Sequence, residues 1–67
     1  MYTIIEIQKT TDNTTVLTYT ANTTEQAQQI YHEKLAYAAI SSVPYHKVML
    51  LGNMLDVCRE EMYTHNT

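Results

Sequence analysis

The sequence predicts an α+β fold: a two-layer ββαββ unit, residues 1–67 as one small domain, in which two antiparallel β-hairpins form a sheet packed by one helix. Three observations carry that expectation. Residues 2–9 alternate with a period of two, a stretch beginning near Thr23 has helical spacing, and the only proline and only glycine, Pro44 and Gly52, fall where an extended pair of segments should begin and turn.

Taking the elements in order, Tyr2 to Lys9 reads as a strand with Thr3, Ile5 and Ile7 on one face and Tyr2, Ile4, Glu6 and Gln8 on the other. Thr14 to Thr20 is rich in β-branched residues, and Thr11, Asp12 and Asn13 suit a tight turn, so a hairpin is expected. A three-residue loop would pair Ile7 with Leu17 and Ile5 with Tyr19, whereas a two-residue loop at Asp12-Asn13 would pair Ile7 with Thr18; the three-residue loop is preferred.

Thr23 and Gln26 match a capping box, with Asn22 and Glu25 as a one-residue alternative. From there Ala27, Ile30, Tyr31, Leu35, Ala38 and Ala39 fall on one side of a helix, while Glu25, Gln29, Glu33 and Ala36 fall on the opposite side. Pro44 cannot continue the helix and disfavours helical geometry at Val43, so Ser41 to Pro44 becomes the connection. Beyond it, Tyr45 to Leu51 and Met54 to Met62 read as a second hairpin about Gly52-Asn53, pairing Leu51 with Met54, Met49 with Asp56 and Lys47 with Cys58. That register puts Val48, Leu50, Leu55 and Val57 on one face. A helix over Met54 to Tyr63, capped by Asn53, is the competing reading.

Composition bounds the function. Four Lys and Arg against seven Asp and Glu give a net charge of −3, which argues against a nucleic-acid binder working through the phosphate backbone. Cys58 is the sole cysteine, so no internal disulfide supports a core of this size, and a reducing cytoplasm is the expected compartment. No apolar run reaches the roughly 18 residues of a membrane span, and no leader pattern follows Met1.

Candidate sites follow from residues that break the pattern. His46 shares the predicted core-facing side of its strand with Val48 and Leu50, near the strand's start, and reads as a half-buried rim residue or as an acid, base or ligand contact. Lys34 interrupts the apolar side of the helix; its stem can cover apolar surface with the ammonium in water, or the ammonium can meet an anionic ligand or a carboxylate such as Glu6 of a second subunit. With Tyr45, these two form the candidate ligand contacts. Zinc is not expected, because Cys58, His32, His46 and His65 include no short-range ligand pair. No catalytic residue and no cofactor is assigned: the single glycine cannot build a phosphate cradle, and Cys58 projects away from His46. Met49, Leu51 and Met54, large and apolar on the face turned from the helix, are the candidate interface.

Taken together, Met1 to Glu6, Tyr31-His32, Ala38 to Val43, His46 and Val48 to Leu51 resemble a set of small proteins of gut bacteria and their phages and mobile elements. The resemblance spans nearly the whole chain, its motifs name no chemistry, and the glycine-containing first turn of that set is replaced here by Asp12-Asn13. It implies a compact ββαββ unit and a setting in which very small proteins bind and obstruct host machinery. The leading expectation is therefore a non-enzymatic, self-associating interaction protein with a host-protein partner. The alternative is an oligomer that encloses a charged metabolite or nucleotide against Lys34, Tyr45 and His46.

Overall fold

The computed structural model describes residues 1–65. Its elements are β1 (Tyr2–Lys9), β2 (Thr14–Ala21), α1 (Thr24–Ile40), β3 (Tyr45–Leu51) and β4 (Val57–Thr64). All strand pairings are antiparallel in one sheet of order β2-β1-β3-β4, so the two hairpins lie side by side and join through β1 and β3. One helix against one face of that sheet is the expected two-layer α+β arrangement.

Helix α1 starts where its cap dictates. The Thr23 side chain accepts a hydrogen bond from the Gln26 amide at 3.1 Å, and the Asn22 amide donates to Gln26 Oε1 at 3.2 Å, so one amide in the first turn and one ahead of it are satisfied. At the other end, Ser41 is extended (φ −69°, ψ 151°), and its hydroxyl oxygen accepts from the Val43 amide at 3.0 Å. Pro44, three residues after the cap, then prevents any return to helix, and β3 begins at Tyr45.

The core lies between α1 and the even-numbered side of β1 and β3. Ile4 and Val48 are fully buried, and Ala21, Ala27, Tyr31, Ala38 and Leu50 complete the cluster, with Tyr2, Tyr19, Ile30, Leu35 and Tyr63 packed around it. Three alanines among seven members let the helix approach the sheet closely but supply little apolar area. Ala39, placed on the apolar side by periodicity, is exposed.

Both hairpin registers differ from the expected ones. The first has a four-residue connection: the Thr10 amide donates to the Asn13 carbonyl at 2.8 Å, and the Asn13 amide donates back to Thr10 Oγ1 at 3.1 Å. Thr10 thus closes the turn with its own side chain, Ile7 pairs with Val16, and Ile5 pairs with Thr18. That one-residue shift moves Leu17 to the helix side and Val16 to the opposite side.

The second hairpin turns through Gly52 to Asp56, not Gly52-Asn53. The Gly52 amide donates to the Asp56 carbonyl at 2.9 Å, the Leu55 amide donates to the Gly52 carbonyl at 3.0 Å, and Leu55 takes a left-handed φ of 61°. Leu51 consequently pairs with Val57, Met49 with Glu60 and Lys47 with Met62; the expected pairs with Met54, Asp56 and Cys58 do not form. Met54 and Leu55 belong to the loop, and the competing helix over Met54 to Tyr63 is absent. Glycine at 52 leaves room for the Asp56 and Cys58 side chains: a Cβ there would lie 2.9 Å from Asp56 Oδ1 and 3.3 Å from Cys58 Sγ, and those exposed side-chain ends would have to shift.

Candidate functional site

Two features stand out once the faces are assigned. The first is a polar cluster inside the core. Glu6 on β1 and His46 on β3 point toward α1 from diagonally related positions, since Glu6 pairs with Val48 and Gln8 with His46. Their side chains are 6% and 4% exposed, and His46 Nε2 shares a 2.7 Å hydrogen bond with Glu6 Oε2. The Tyr19 hydroxyl donates to Glu6 Oε1 at 3.4 Å. Lys34 lies with its Nζ 4.5 Å from the Tyr19 ring centroid, 5.7 Å from that of Tyr37 and 3.9 Å from Glu33 Oε1.

His46 is therefore not a half-buried rim residue; it is a core residue with a dedicated acidic partner. His46 Nδ1 is buried with no hydrogen-bond partner among the described residues, and Nε2 is bonded to Glu6. Nδ1 is closed off from solvent in this arrangement, and Nε2 faces the Glu6 carboxylate. The pair's geometry serves to bind β1 to β3 across the core. Glu6 as His46's partner within one chain is not among the sequence expectations, although the alternation of β1 puts Glu6 on the same face as Ile4.

Lys34 keeps 19% of its side chain exposed and runs over Tyr19, which combines the snorkelling expected of it with a cation–π contact. Tyr45 lies on the other face of the sheet, where Lys9 Nζ sits 4.9 Å from its ring centroid. Lys34, Tyr45 and His46 are thus not brought together in one chain, and no cavity occurs among the described residues. A neighbouring titratable group is Tyr31: burial first, then the Glu61 charge, raises its hydroxyl's pKa, with Arg59 acting in the opposite direction.

The second feature is the face of the sheet that α1 does not cover. Strand pairing arranges it in rows from β2 to β4: Thr20, Thr3, Leu51 and Val57; then Thr18, Ile5, Met49 and Glu60; then Val16, Ile7, Lys47 and Met62; then Thr14, Lys9, Tyr45 and Thr64. Val16, Met62 and Val57 are 57%, 51% and 53% exposed, while Ile5, Ile7 and Met49 are partly exposed. Lys47 and Glu60 approach to 3.9 Å within this apolar field.

Of the three candidate interface residues, Met49 sits centrally on this face. Leu51 is beside it, already 8% exposed but outside the helix-side cluster, and Met54 projects from the loop tip at 87% exposure. Ile5, Ile7, Val16 and Met62 belong to the same surface; the alternation of β1 offered that signal for the two isoleucines. Among the described residues, no helix is long and apolar enough to cross a membrane. Comparison with protein-family models, curated proteins and solved structures gives no match to this chain.

Proposed function

We propose that this chain is a non-enzymatic interaction protein that self-associates through the open sheet face around its second hairpin and, in a phage or mobile-element setting, binds or obstructs a host protein. The observation that carries the reading is the uncovered apolar field of Ile5, Ile7, Val16, Met49 and Met62 on a domain whose other face holds a core with only two fully buried large side chains. Scattered apolar residues are ordinary on a surface, whereas a contiguous field on a sheet marks an interface.

A second copy is the occupant the charges favour. Lys47 and Glu60 stand side by side in the field, so a two-fold axis beside them lets the partner present a carboxylate to each ammonium. An interface of ordinary size would cover about 800 Å² per copy, roughly a sixth of the chain's 4494 Å².

Light scattering coupled to size-exclusion chromatography tests the reading with Met62→Asp, a half-exposed position where the fold tolerates the change. The native chain should elute at a multiple of 7.7 kDa and the variant at a smaller multiple with unchanged circular dichroism. A native monomer at micromolar concentration, or a variant of native mass, overturns it.

A further inference from the structure

We infer that strand β2 is a second, independent assembly element, which pairs antiparallel with β2 of another copy through main-chain hydrogen bonds. The argument starts at the first turn. The Thr10 amide bonded to the Asn13 carbonyl fixes which residues of the hairpin face each other through hydrogen bonds. Antiparallel pairing alternates, so Thr15, Leu17, Tyr19 and Ala21 direct their amides and carbonyls at β1, while those of Thr14, Val16, Thr18 and Thr20 point away from it. β2 is the sheet's edge, and its first five residues and Thr20 are exposed. Among the described residues, no element covers that row of donors and acceptors.

Edge strands are ordinarily guarded by charge, proline, a bulge or short length. The opposite edge, β4, carries Arg59, Glu60 and Glu61 and a register irregularity opposite Leu50/Leu51. β2 has none of these: its eight residues, TTVLTYTA, contain no charge and no proline, and its pairing with β1 is uninterrupted. A β2-to-β4 contact would bring the guarded edge to the unguarded one and generate an open chain of subunits, whereas β2 to β2 closes on itself by two-fold symmetry.

Symmetry also fixes what such a pair looks like. A two-fold axis perpendicular to the sheet matches residues of like parity, centring on Leu17 or on Thr18, and the outward groups of Val16, Thr18 and Thr20 then meet their counterparts. Both helices fall on one side of a continuous sheet. Leu17, 38% exposed on the helix side of the edge, packs against Leu17 or Tyr19 of the other copy. The open faces merge into one surface, so this contact is compatible with face-to-face association yet separable from it.

Amide exchange measured by NMR on the native chain at assembling concentration discriminates the two. Edge pairing slows Val16, Thr18 and Thr20 by at least about tenfold relative to a dilute monomer, in addition to the protection of Leu17 and Tyr19 that the hairpin itself provides. Face-to-face contact alone leaves the even-numbered amides exchanging freely. Thr18→Pro removes an amide the monomer does not use and should lower the assembly mass; Leu17→Lys, on the side away from the open face, should do the same should proline disturb the strand. Free exchange at Val16, Thr18 and Thr20 beside protected Leu17 and Tyr19, or native mass in both variants, overturns the edge contact and leaves the open-face reading to its own Met62→Asp test. Loss of assembly in the β2 variants with none in Met62→Asp overturns the open-face reading alone.

Discussion

Replacing His46 by alanine should unfold a large fraction of this protein's stability margin. Glu6 would keep one partner, the Tyr19 hydroxyl at 3.4 Å, which is long for a hydrogen bond between oxygens. A buried polar group left without its partner costs about 1–3 kcal/mol, and about 3–5 kcal/mol where the stranded group is charged. Removing the imidazole also vacates space beneath α1, so the expected loss is about 3–5 kcal/mol. A domain of 67 residues holds about 3–10 kcal/mol in total, so a loss of that size removes between about a third of the margin and all of it at 25 °C. Glu6→Gln retains the shape and one acceptor and should lose about 1–2 kcal/mol. The double variant Glu6→Leu/His46→Leu removes both polar groups and should lie within about 1 kcal/mol of the native chain. Urea unfolding followed by circular dichroism reads all three, at one fixed protein concentration because assembly adds concentration-dependent stability. A His46→Ala loss below about 1 kcal/mol, or a double variant as unstable as the sum of its single changes, would refute the claim that the two groups satisfy each other.

The second-hairpin loop offers an opposite sign: Leu55 is 69% exposed with φ 61°, so Leu55→Gly relieves left-handed strain of about 1–2 kcal/mol at a smaller entropic cost, and thermal unfolding should show a net gain of about 0.5–1 kcal/mol. Alkaline pH acts through Tyr31. Its folded pKa is raised above 10.0, so the unfolded chain releases that proton first; the stabilisation it confers is complete below pH 10 and is lost as pH rises through the folded value. The native chain should therefore lose stability above pH 10 more steeply than Tyr31→Phe, as read by urea midpoints from pH 9 to 11; parallel profiles would refute this.

The order of elements was legible because each boundary is local chemistry: the period-two run of β1, the Thr23 cap with Gln26, and Pro44 closing off the helix. Register was not legible, since it depends on loop geometry that neighbouring side chains decide. Thr10 joins the first turn through its own hydroxyl, and Leu55 adopts a conformation that leucine ordinarily avoids; neither preference is written in a dipeptide such as Gly52-Asn53. Register decides site assignment: the observed one puts Leu17 on the helix side of the edge, leaves Met54 in the loop and pairs Lys47 with Met62 instead of Cys58. The Glu6–His46 pair needed only the two strand faces to be superposed, because each is the polar exception on an otherwise core-facing set.

The strand made first, β1, is an inner strand of the finished sheet. Its partners are made at very different times: β2 follows almost at once, but β3 is separated from β1 by roughly forty residues and emerges only after the entire helix. During synthesis the first hairpin must therefore wait with both of its edges open, the β2 edge that no strand of its own domain covers and the β1 edge that β3 will later occupy. Two nascent chains close together on one message could satisfy that waiting edge with each other's β3, exchanging strands before either domain is complete.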